Sequence, residues 1–347
     1  MRKSLLAAAA LCVVAVAVLG GVASAAPKGT FTAALVSDVG KFNDKGFNQD
    51  QLAGLNRAKA KLGVKTIASQ SNSSSDYLPN ITNAVRSGAN IVSAAGYLLA
   101  PTVSQVATQF PSIDFTITDD SVKGPDFAKA KSIKNIEGLV YASNQSGCLV
   151  GYLAGEMVKA AGGKQVIGAV GGIKIPAVDD YIVGYTYCAK LADPGITVKV
   201  GYSQDFVAQD KCKTVAQNQI GQGSQVEFQV AGGCGLGALN AAAQANVWGI
   251  GVDVDQYGVA KNVLTSALKH VDVGIFDAIQ QAKAGKFNGG NDLLFDLKNN
   301  GVGVGKISPK VPKAYITKMN ALKAKLISGK VKVPVAAGSP LTNLLAH

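Results

Sequence analysis

The sequence predicts an α/β fold of two lobes, in which each lobe is a parallel sheet covered by helices. From residue 30 onward, short β-branched or apolar segments alternate with longer segments of helical period, and this alternation is typical of parallel sheets with helices on both faces. The alternation starts again near residue 165. A chain of 347 residues is also too long for one compact core, so two lobes are expected.

The first series of elements begins with a strand at residues 30–37 and a helix at 47–62. The next elements of this series are a strand at 91–95, a helix after Pro101, and strands at 114–118 and 135–141.

The second series occupies residues 165–252. Its elements are, in order, a strand at 165–170, a helix at 176–191, a strand at 197–203, a helix at 210–219, a strand at 226–230, a helix at 236–245 and a strand at 248–252. Two successive α/β units of similar length indicate two lobes. A last strand at 263–269 and a helix at 273–284 are expected to complete the first lobe. We therefore predict lobe 1 at 30–138 plus 256–290, and lobe 2 at 139–255 plus 291–347.

The amino-terminal residues have the three parts of a secretory signal peptide. Arg2 and Lys3 precede an apolar stretch at 5–22, and Ala23-Ser24-Ala25 forms a small-residue cleavage site. We predict that residues 1–25 are removed and that the protein is exported, to the periplasm or the cell surface. An uncleaved membrane anchor is the alternative. Cys12 lies inside the apolar stretch, where too little sequence precedes it for a lipid-modified cysteine.

The net charge of +12 raises the question of a nucleic-acid partner. The lysines are scattered, without a basic run or the interleaved aromatic residues that single-strand binders use. A solubilising surface is therefore expected, and no nucleic acid.

Four cysteines remain after the predicted cleavage. An even number in an exported chain predicts two disulfides, with three possible pairings among Cys148, Cys188, Cys212 and Cys234. The chain has no C-x-x-C and only two histidines, which argues against a zinc site. No metal or other cofactor is expected.

In α/β proteins, ligands bind beyond the carboxyl ends of the parallel strands. Four loops meet this condition, and with two lobes facing each other they line one cleft suited to a small molecule. These loops are 38–48, 96–97, 232–235 and 253–256.

Asp38 and Asp253 each follow a predicted strand in their own lobe. A carboxylate can accept hydrogen bonds from two neighbouring hydroxyl groups, as it does when α/β folds bind ribose. The alternative is that each aspartate caps the following helix. Phe42, Phe47 and Phe206 could stack on a flat ligand, or could pack in the core.

The segment AGGCGLG at 231–237 opens a predicted helix but lacks the G-x-G-x-x-G spacing of a dinucleotide site. Its glycines are expected to let the backbone approach a ligand. Lys269 could reach the ligand or a cleft aspartate, although a solvated surface lysine is the default. The sequence has no G-x-S-x-G motif and no histidine beside a nucleophile, so an enzyme is not predicted.

Several ordered motifs between residues 30 and 334 resemble the basic membrane protein family of substrate-binding proteins. They are DVGKFNDKGFNQ, GLVYASNQSGCLVGYLAG, GAVGGIKIPAVDDYIVGY, FQVAGGCGLG, GIGVDVDQ, LTSALKHVD and NNGVGVG. The resemblance implies a periplasmic-binding-protein type I fold, with two Rossmann-like lobes joined by a three-crossover hinge. It also implies a monomer that binds a purine nucleoside and serves the membrane permease of an ABC importer.

The resemblance also implies roles for individual residues. Asp38 and Asp253 would hold ribose hydroxyls, Phe47 and Phe206 would enclose the base, Asn43 or Asn48 with Asp119 would read the base edge, and Gly232, Gly233 and Lys269 would complete the ribose end. Two features depart from the family. Ala25-Ala26-Pro27 stands where many members carry a lipid-modified cysteine, and Cys234 lies inside a predicted ligand loop, where it would narrow the cleft or pin the loop.

The sequence leaves three alternatives to a nucleoside importer subunit. A binding protein for a sugar or another small molecule would keep the carboxylates but would not need an aromatic ring in each lobe. A signalling receptor would differ only in its partner. An exported enzyme of this fold would convert its bound ligand.

Overall fold

The computed structural model describes residues 30–130 and 132–345. The predicted signal peptide at 1–25, with Cys12, lies outside the described residues. No helix in the described part of the chain combines the length and apolar character needed to cross a bilayer.

The first sheet has six parallel strands. They are β1 (Thr32–Ser37), β2 (Lys65–Ser69), β3 (Ile91–Ala95), β4 (Asp114–Thr118), β5 (Ile136–Tyr141) and β11 (Asp292–Phe295). Their order is β11-β5-β4-β3-β1-β2. All six residues of β1 are buried, as expected for a central strand with helices on both faces.

The second sheet also has six strands. They are β6 (Val166–Gly171), β7 (Thr197–Tyr202), β8 (Val226–Val230), β9 (Trp248–Asp253), β10 (Val263–Lys269) and β12 (Val302–Val304). Their order is β12-β10-β9-β8-β6-β7, and only the pairing of β12 with β10 is antiparallel.

Helices cover both sheets. They are α1 (Phe47–Leu62), α2 (Tyr77–Arg86), α3 (Ala100–Gln109), α4 (Ser143–Ala161), α5 (Pro176–Ala192), α6 (Gln209–Gly221), α7 (Gly235–Gln244), α8 (Val271–Lys283), α9 (Lys313–Ile327) and α10 (Leu341–Leu344). Helix α1 buries Leu55 and Ala58 and ends at Gly63, whose φ of 65° lies in the left-handed region that favours glycine. The predicted α/β fold with two parallel-sheet lobes is confirmed.

The two sheets divide the chain differently from the predicted lobe boundaries. Strand β10 pairs with β9 in the second sheet, so the expectation that residues 263–269 complete the first lobe is wrong. Strand β11 pairs with β5 in the first sheet, although residues 291–347 were assigned to lobe 2. Helix α8 packs against α1 and belongs to the first lobe as expected.

Three crossovers join the lobes, as the resemblance implies. The chain passes between the sheets from β5 to α4, from β10 to α8, and from β11 to β12. Tyr141 and Phe295, at the ends of β5 and β11, stack with ring centroids 4.6 Å apart. An aromatic contact therefore lies beside two of the three crossovers.

Both disulfides lie in the second lobe. Cys148 in α4 is bonded to Cys188 in α5, and Cys212 in α6 is bonded to Cys234 at the start of α7. The structure thus selects one of the three pairings that the sequence left open.

Candidate functional site

A cleft lies between the carboxyl ends of the two sheets. The first lobe contributes Asp38, Gly40, Asp44, Phe47, Asn48, Gly96, Tyr97 and Asp119. The second lobe contributes Ile175, Ala177, Val178, Tyr181, Phe206, Val230, Ala231, Gly232, Asp253 and Lys269.

Asp38 follows β1 and is 5% exposed. Its Oδ1 accepts the backbone N–H of Gly40 at 3.0 Å, and Asn48 lies beside it. Burial raises the pKa of Asp38 to about 7, against the lowering effect of these two hydrogen-bond partners. A side chain at Gly96, where φ is 127°, would place its Cβ 2.5 Å from Oδ2 of Asp38. The close approach of the β3 loop therefore requires glycine.

Asp44 is the aspartate that caps the first helix. Its carboxylate accepts the backbone N–H groups of Gly46, Asn48 and Gln49 at 2.9 to 3.1 Å. Such bonds satisfy donors that helix geometry leaves free. The capping alternative considered for Asp38 therefore applies to Asp44 instead.

A second polar group surrounds Lys269 at the end of β10. Its Nζ lies 2.6 Å from Oδ2 of Asp119, a residue of the first lobe, and both side chains are buried. Asp253 lies nearby, and Tyr181 donates its hydroxyl hydrogen to Oδ1 of Asp253 at 3.1 Å. Lys269 is thus a buried partner of a cleft aspartate rather than a solvated lysine.

Asp119 and Asp253 both have left-handed backbones, with φ of 69° and 64°. Residues other than glycine rarely adopt this conformation, and where they do it is often at a functional site. Burial raises the pKa of Asp253 to about 6, and the positive charge of Lys269 opposes this rise. Two carboxylates on constrained backbones therefore lie close to one ammonium group.

One phenylalanine from each lobe lines the cleft. Phe47 is the first residue of α1, and its ring centroid lies 4.8 Å from Nζ of Lys269. Phe206 lies in the loop before α6, and its carbonyl oxygen accepts the N–H of Cys234 at 3.0 Å. A Cβ at Gly172 would lie 2.4 Å from the Phe206 ring, so that loop packs closely against the end of β6.

The structure brings eight of the ten predicted ligand residues together. They are Asp38, Phe47, Asn48, Asp119, Phe206, Gly232, Asp253 and Lys269. Asn43 is exposed and does not line the cleft. Gly233 lies where the lobes meet, since a Cβ there would be 3.5 Å from Cβ of Asp44. Phe42 also lies outside the cleft lining.

Sequence reasoning missed Tyr181, which lines the cleft from α5. It also missed the helix-capping role of Asp44. The available signal for Tyr181 was its place in the first turns of the helix that follows the predicted strand at 165–170, because ligands bind beyond the carboxyl ends of parallel strands.

The two lobes are in contact across the cleft. The Lys269–Asp119 ion pair joins them, and Nε2 of Gln256 donates to the carbonyl oxygen of Lys45 at 2.9 Å. The structure therefore represents the closed arrangement of the lobes.

Three comparisons relate the chain to known proteins. The family model described as ABC transporter substrate-binding protein PnrA-like, the Bmp family, matches residues 31–337. The ABC transporter nucleoside-binding protein BmpA of Lactococcus lactis is 32% identical over 369 residues, covering 96% of this chain and 99% of that protein. The CD4+ T-cell-stimulating antigen of Listeria monocytogenes is 32% identical over 328 residues, covering 88% of each.

A solved structure supports the fold independently. The solute-binding protein of an ABC transporter system from Aeropyrum pernix has a TM-score of 0.76 at 23% identity, covering 88% of this chain and 94% of that one. The match of the family model over nearly all described residues, with a two-lobed fold and a cleft between the lobes, leads to one conclusion. The chain belongs to the Bmp family of PnrA-like ABC transporter substrate-binding proteins.

Proposed function

We propose that this protein is exported, binds a purine nucleoside in its cleft as a monomer, and presents the closed form to the permease of an ABC importer. One observation carries the choice of ligand. Phe47 of the first lobe and Phe206 of the second line the same cleft, together with carboxylate, amide and ammonium side chains. A flat base with a hydroxylated sugar matches this arrangement, because it offers faces for stacking and two chemically different ends.

The base would stack on Phe47 and Phe206, which is worth about 1 to 3 kcal/mol per base by analogy with other stacking sites. Its polar edge would meet Asn48 and Asp38. Oδ1 of Asn48 is buried and has no hydrogen-bond partner among the described residues, so it is ready to accept a hydrogen from a ligand. Asp38, with its pKa raised by burial to about 7, can accept or donate at neutral pH.

The sugar would lie at Asp253, Lys269 and Asp119. These three side chains form a connected group of acceptors and a donor, as vicinal hydroxyl groups require. The resemblance assigned Asp38 to the ribose and Asp119 to the base edge. The contacts of Asp38 with Asn48, and of Asp119 with Lys269, favour the exchange of these two roles.

Closure would follow from the difference in ligand affinity between the open and closed forms. The Lys269–Asp119 pair, which bridges the lobes, would align the sugar end only when the cleft is closed. Binding and release require no reaction of the ligand. The name of the Lactococcus relative, a nucleoside-binding protein, supports the same ligand class.

The ligand class is tested with the chain from residue 26 after unfolding and refolding to remove bound ligand. Adenosine, guanosine and inosine are compared with free purines, ribose, hexoses and amino acids by thermal shift and calorimetry. We expect a rise in melting temperature with a nucleoside that neither its base nor ribose reproduces. A response to a sugar and none to any nucleoside would contradict the proposal, and conversion of the nucleoside would indicate an enzyme.

Asp253→Asn tests the sugar end. We expect nucleoside affinity to fall by about 1.5 to 3 kcal/mol, the range for hydrogen bonds to charged groups, because the variant cannot accept from two hydroxyls as strongly. Calorimetry measures the change. Asp210→Asn is the matched control, since Asp210 is exposed on α6 and outside the cleft. Equal affinities of the two variants would contradict the sugar assignment.

A further inference from the structure

The positive charge of the chain is concentrated near its carboxyl terminus. Residues 297–347 contain nine lysines and no aspartate, glutamate or arginine. The preceding 296 residues contain 25 basic and 22 acidic side chains, so they contribute only +3 of the net charge of +12. The lysines themselves are scattered along the sequence, but the acidic residues that would balance them stop at Asp296.

The fold places this segment along one edge of the second lobe. Strand β12 is the edge strand of its sheet. The chain then follows β10 toward the far end of the lobe, where the N–H of Ser308 donates to the carbonyl oxygen of Leu264 at 2.8 Å. Helix α9 packs against α4, and Asn144, at the start of α4, holds the carbonyl oxygens of Val333 and Pro334. The segment thus runs from the far end of the lobe back to the hinge.

Six exposed lysines lie along this segment, and we call this set the basic edge. It consists of Lys306, Lys310, Lys313, Lys325, Lys330 and Lys332. Two carboxylates lie near it. Glu156 is paired with Lys318 at 2.8 Å, and Asp255 accepts the backbone N–H of Lys306 at 3.3 Å. The buried residues of α9, which are Met319, Leu322 and Leu326, hold the helix on the lobe.

The basic edge differs from an ordinary solubilising surface. Such surfaces intersperse charges of both signs, whereas the sequence that forms this edge supplies only one sign. Four to eight clustered basic residues are the usual signature of binding to anionic lipids. Each lysine that comes within a Debye length, about 8 Å at physiological salt, contributes about a fivefold increase in membrane partitioning.

We propose that the basic edge docks the protein on the anionic phospholipid surface of a membrane. A substrate-binding protein of an ABC transporter must meet a permease that is embedded in a bilayer, and attraction to the same surface raises its local concentration there. Nucleic acid fits the edge less well. The rings of Tyr257 and Trp248 have Lys306 and Lys310 over them, at 4.3 and 5.8 Å, and so are not free to stack on bases.

The test uses the chain from residue 26 and sedimentation with lipid vesicles. Vesicles of phosphatidylcholine alone are compared with vesicles that also contain phosphatidylglycerol. We expect binding only to the anionic vesicles, with a steep decrease as salt is raised from roughly 0.1 to about 1 M. Equal binding to both vesicle types, or none to either, would overturn the proposal and leave an acidic protein surface as the alternative partner.

Two variants with the same change in net charge distinguish binding through the basic edge from the general attraction of a positively charged protein to anionic vesicles. The first replaces Lys313, Lys325, Lys330 and Lys332 with Gln. The control replaces Lys59, Lys61, Lys65 and Lys123, which are exposed on the first lobe. We expect the first variant to lose at least about a hundredfold in partitioning, and the control to lose far less. Equal losses would overturn the proposal. Circular dichroism and an unchanged melting temperature verify that both variants are folded.

Discussion

The two lobes share one strand order but hold their ligand-facing loops by different means. In the first lobe, the carboxylate of Asp44 and the hydroxyl of Ser37 hold the loop after β1 by hydrogen bonds. In the second lobe, a disulfide joins α6 to the start of α7, and the N–H of Cys234 holds the carbonyl oxygen of Phe206. The two lobes therefore share a topology but differ in the local contacts that stiffen their half of the cleft.

Each lobe also buries a glutamate away from the cleft. Glu137 lies on β5 of the first sheet and Glu227 on β8 of the second, and both are fully buried. Asn288 lies beside the carboxyl group of Glu137 and Ser224 beside that of Glu227, and each opposes part of the rise in pKa that burial causes. Burial raises the pKa to about 7 for Glu137 and to about 8 for Glu227. Glu227 should therefore keep its proton to a higher pH than Glu137.

The largest expected effect is a loss of stability as pH rises. The folded state keeps these protons to a higher pH than the unfolded chain, whose glutamates titrate near 4.5. The stabilisation is complete below that value and is lost as pH rises through 7 for Glu137 and 8 for Glu227. For Glu227 the free energy of unfolding should fall by up to about 1.4 kcal/mol per pH unit, or up to about 4 kcal/mol between roughly pH 5 and pH 8.

Urea unfolding at a series of pH values measures this loss. Glu227→Gln should flatten the profile most and Glu137→Gln less, because glutamine cannot ionise. Asp210→Asn, at an exposed position, should leave the profile unchanged. Stability that increases with pH over this range would contradict the assignment of buried, protonated glutamates.

Many strands and helices were predictable from the sequence, and others, such as α4 and β2, were not. Helix α5 begins at Pro176 as predicted, since proline suits the first helical turn. Helix α4 was not predicted. It buries most of its residues and contains three glycines, so it shows no single apolar face. Strand β2 was also missed, because it is a half-exposed edge strand with a lysine and two hydroxyl residues.

Strand pairing and site roles depend on contacts that are distant in sequence. The strand at Val263–Lys269 was recognised, but its place beside β9 cannot be inferred from local periodicity. Asp38 and Asp253 were predictable as strand-end carboxylates, because the carboxyl ends of parallel strands converge. Lys269 and Asp119 are 150 residues apart in the sequence. Their pairing could therefore be recognised only from the closed arrangement of both lobes.

Removal of the disulfides should have the next largest effect on stability. The Cys148–Cys188 bridge spans 40 residues and the Cys212–Cys234 bridge spans 22. Loss of chain entropy in the unfolded state is worth about 4 and about 3 kcal/mol for loops of these lengths. Replacing either pair with alanine should therefore lower the free energy of unfolding by similar amounts in urea titrations.

Ligand affinity should distinguish the two bridges. Only the Cys212→Ala, Cys234→Ala variant should bind the nucleoside more weakly, because only this bridge anchors the segment that carries Phe206. The Cys148→Ala, Cys188→Ala variant is the matched control, since its bridge joins α4 to α5. Calorimetry below the unfolding temperature measures both. An equal loss of affinity in the two variants would show that the second lobe responds as a whole and that its loop is not specifically fixed.

The smallest expected effect comes from truncating one ring of the cleft. Phe47→Ala and Phe206→Ala should each weaken nucleoside binding by about 1 to 3 kcal/mol, because each removes one stacking face. Calorimetry measures the change, and Phe42→Ala is the control because Phe42 lies on the same loop as Phe47 but outside the cleft. Equal losses at Phe42 and Phe47 would contradict stacking. A loss of affinity in Phe47→Ala but not in Phe206→Ala would mean that the base stacks only on the first lobe. The Cys212–Cys234 disulfide would then stabilise the second lobe without contributing to ligand recognition.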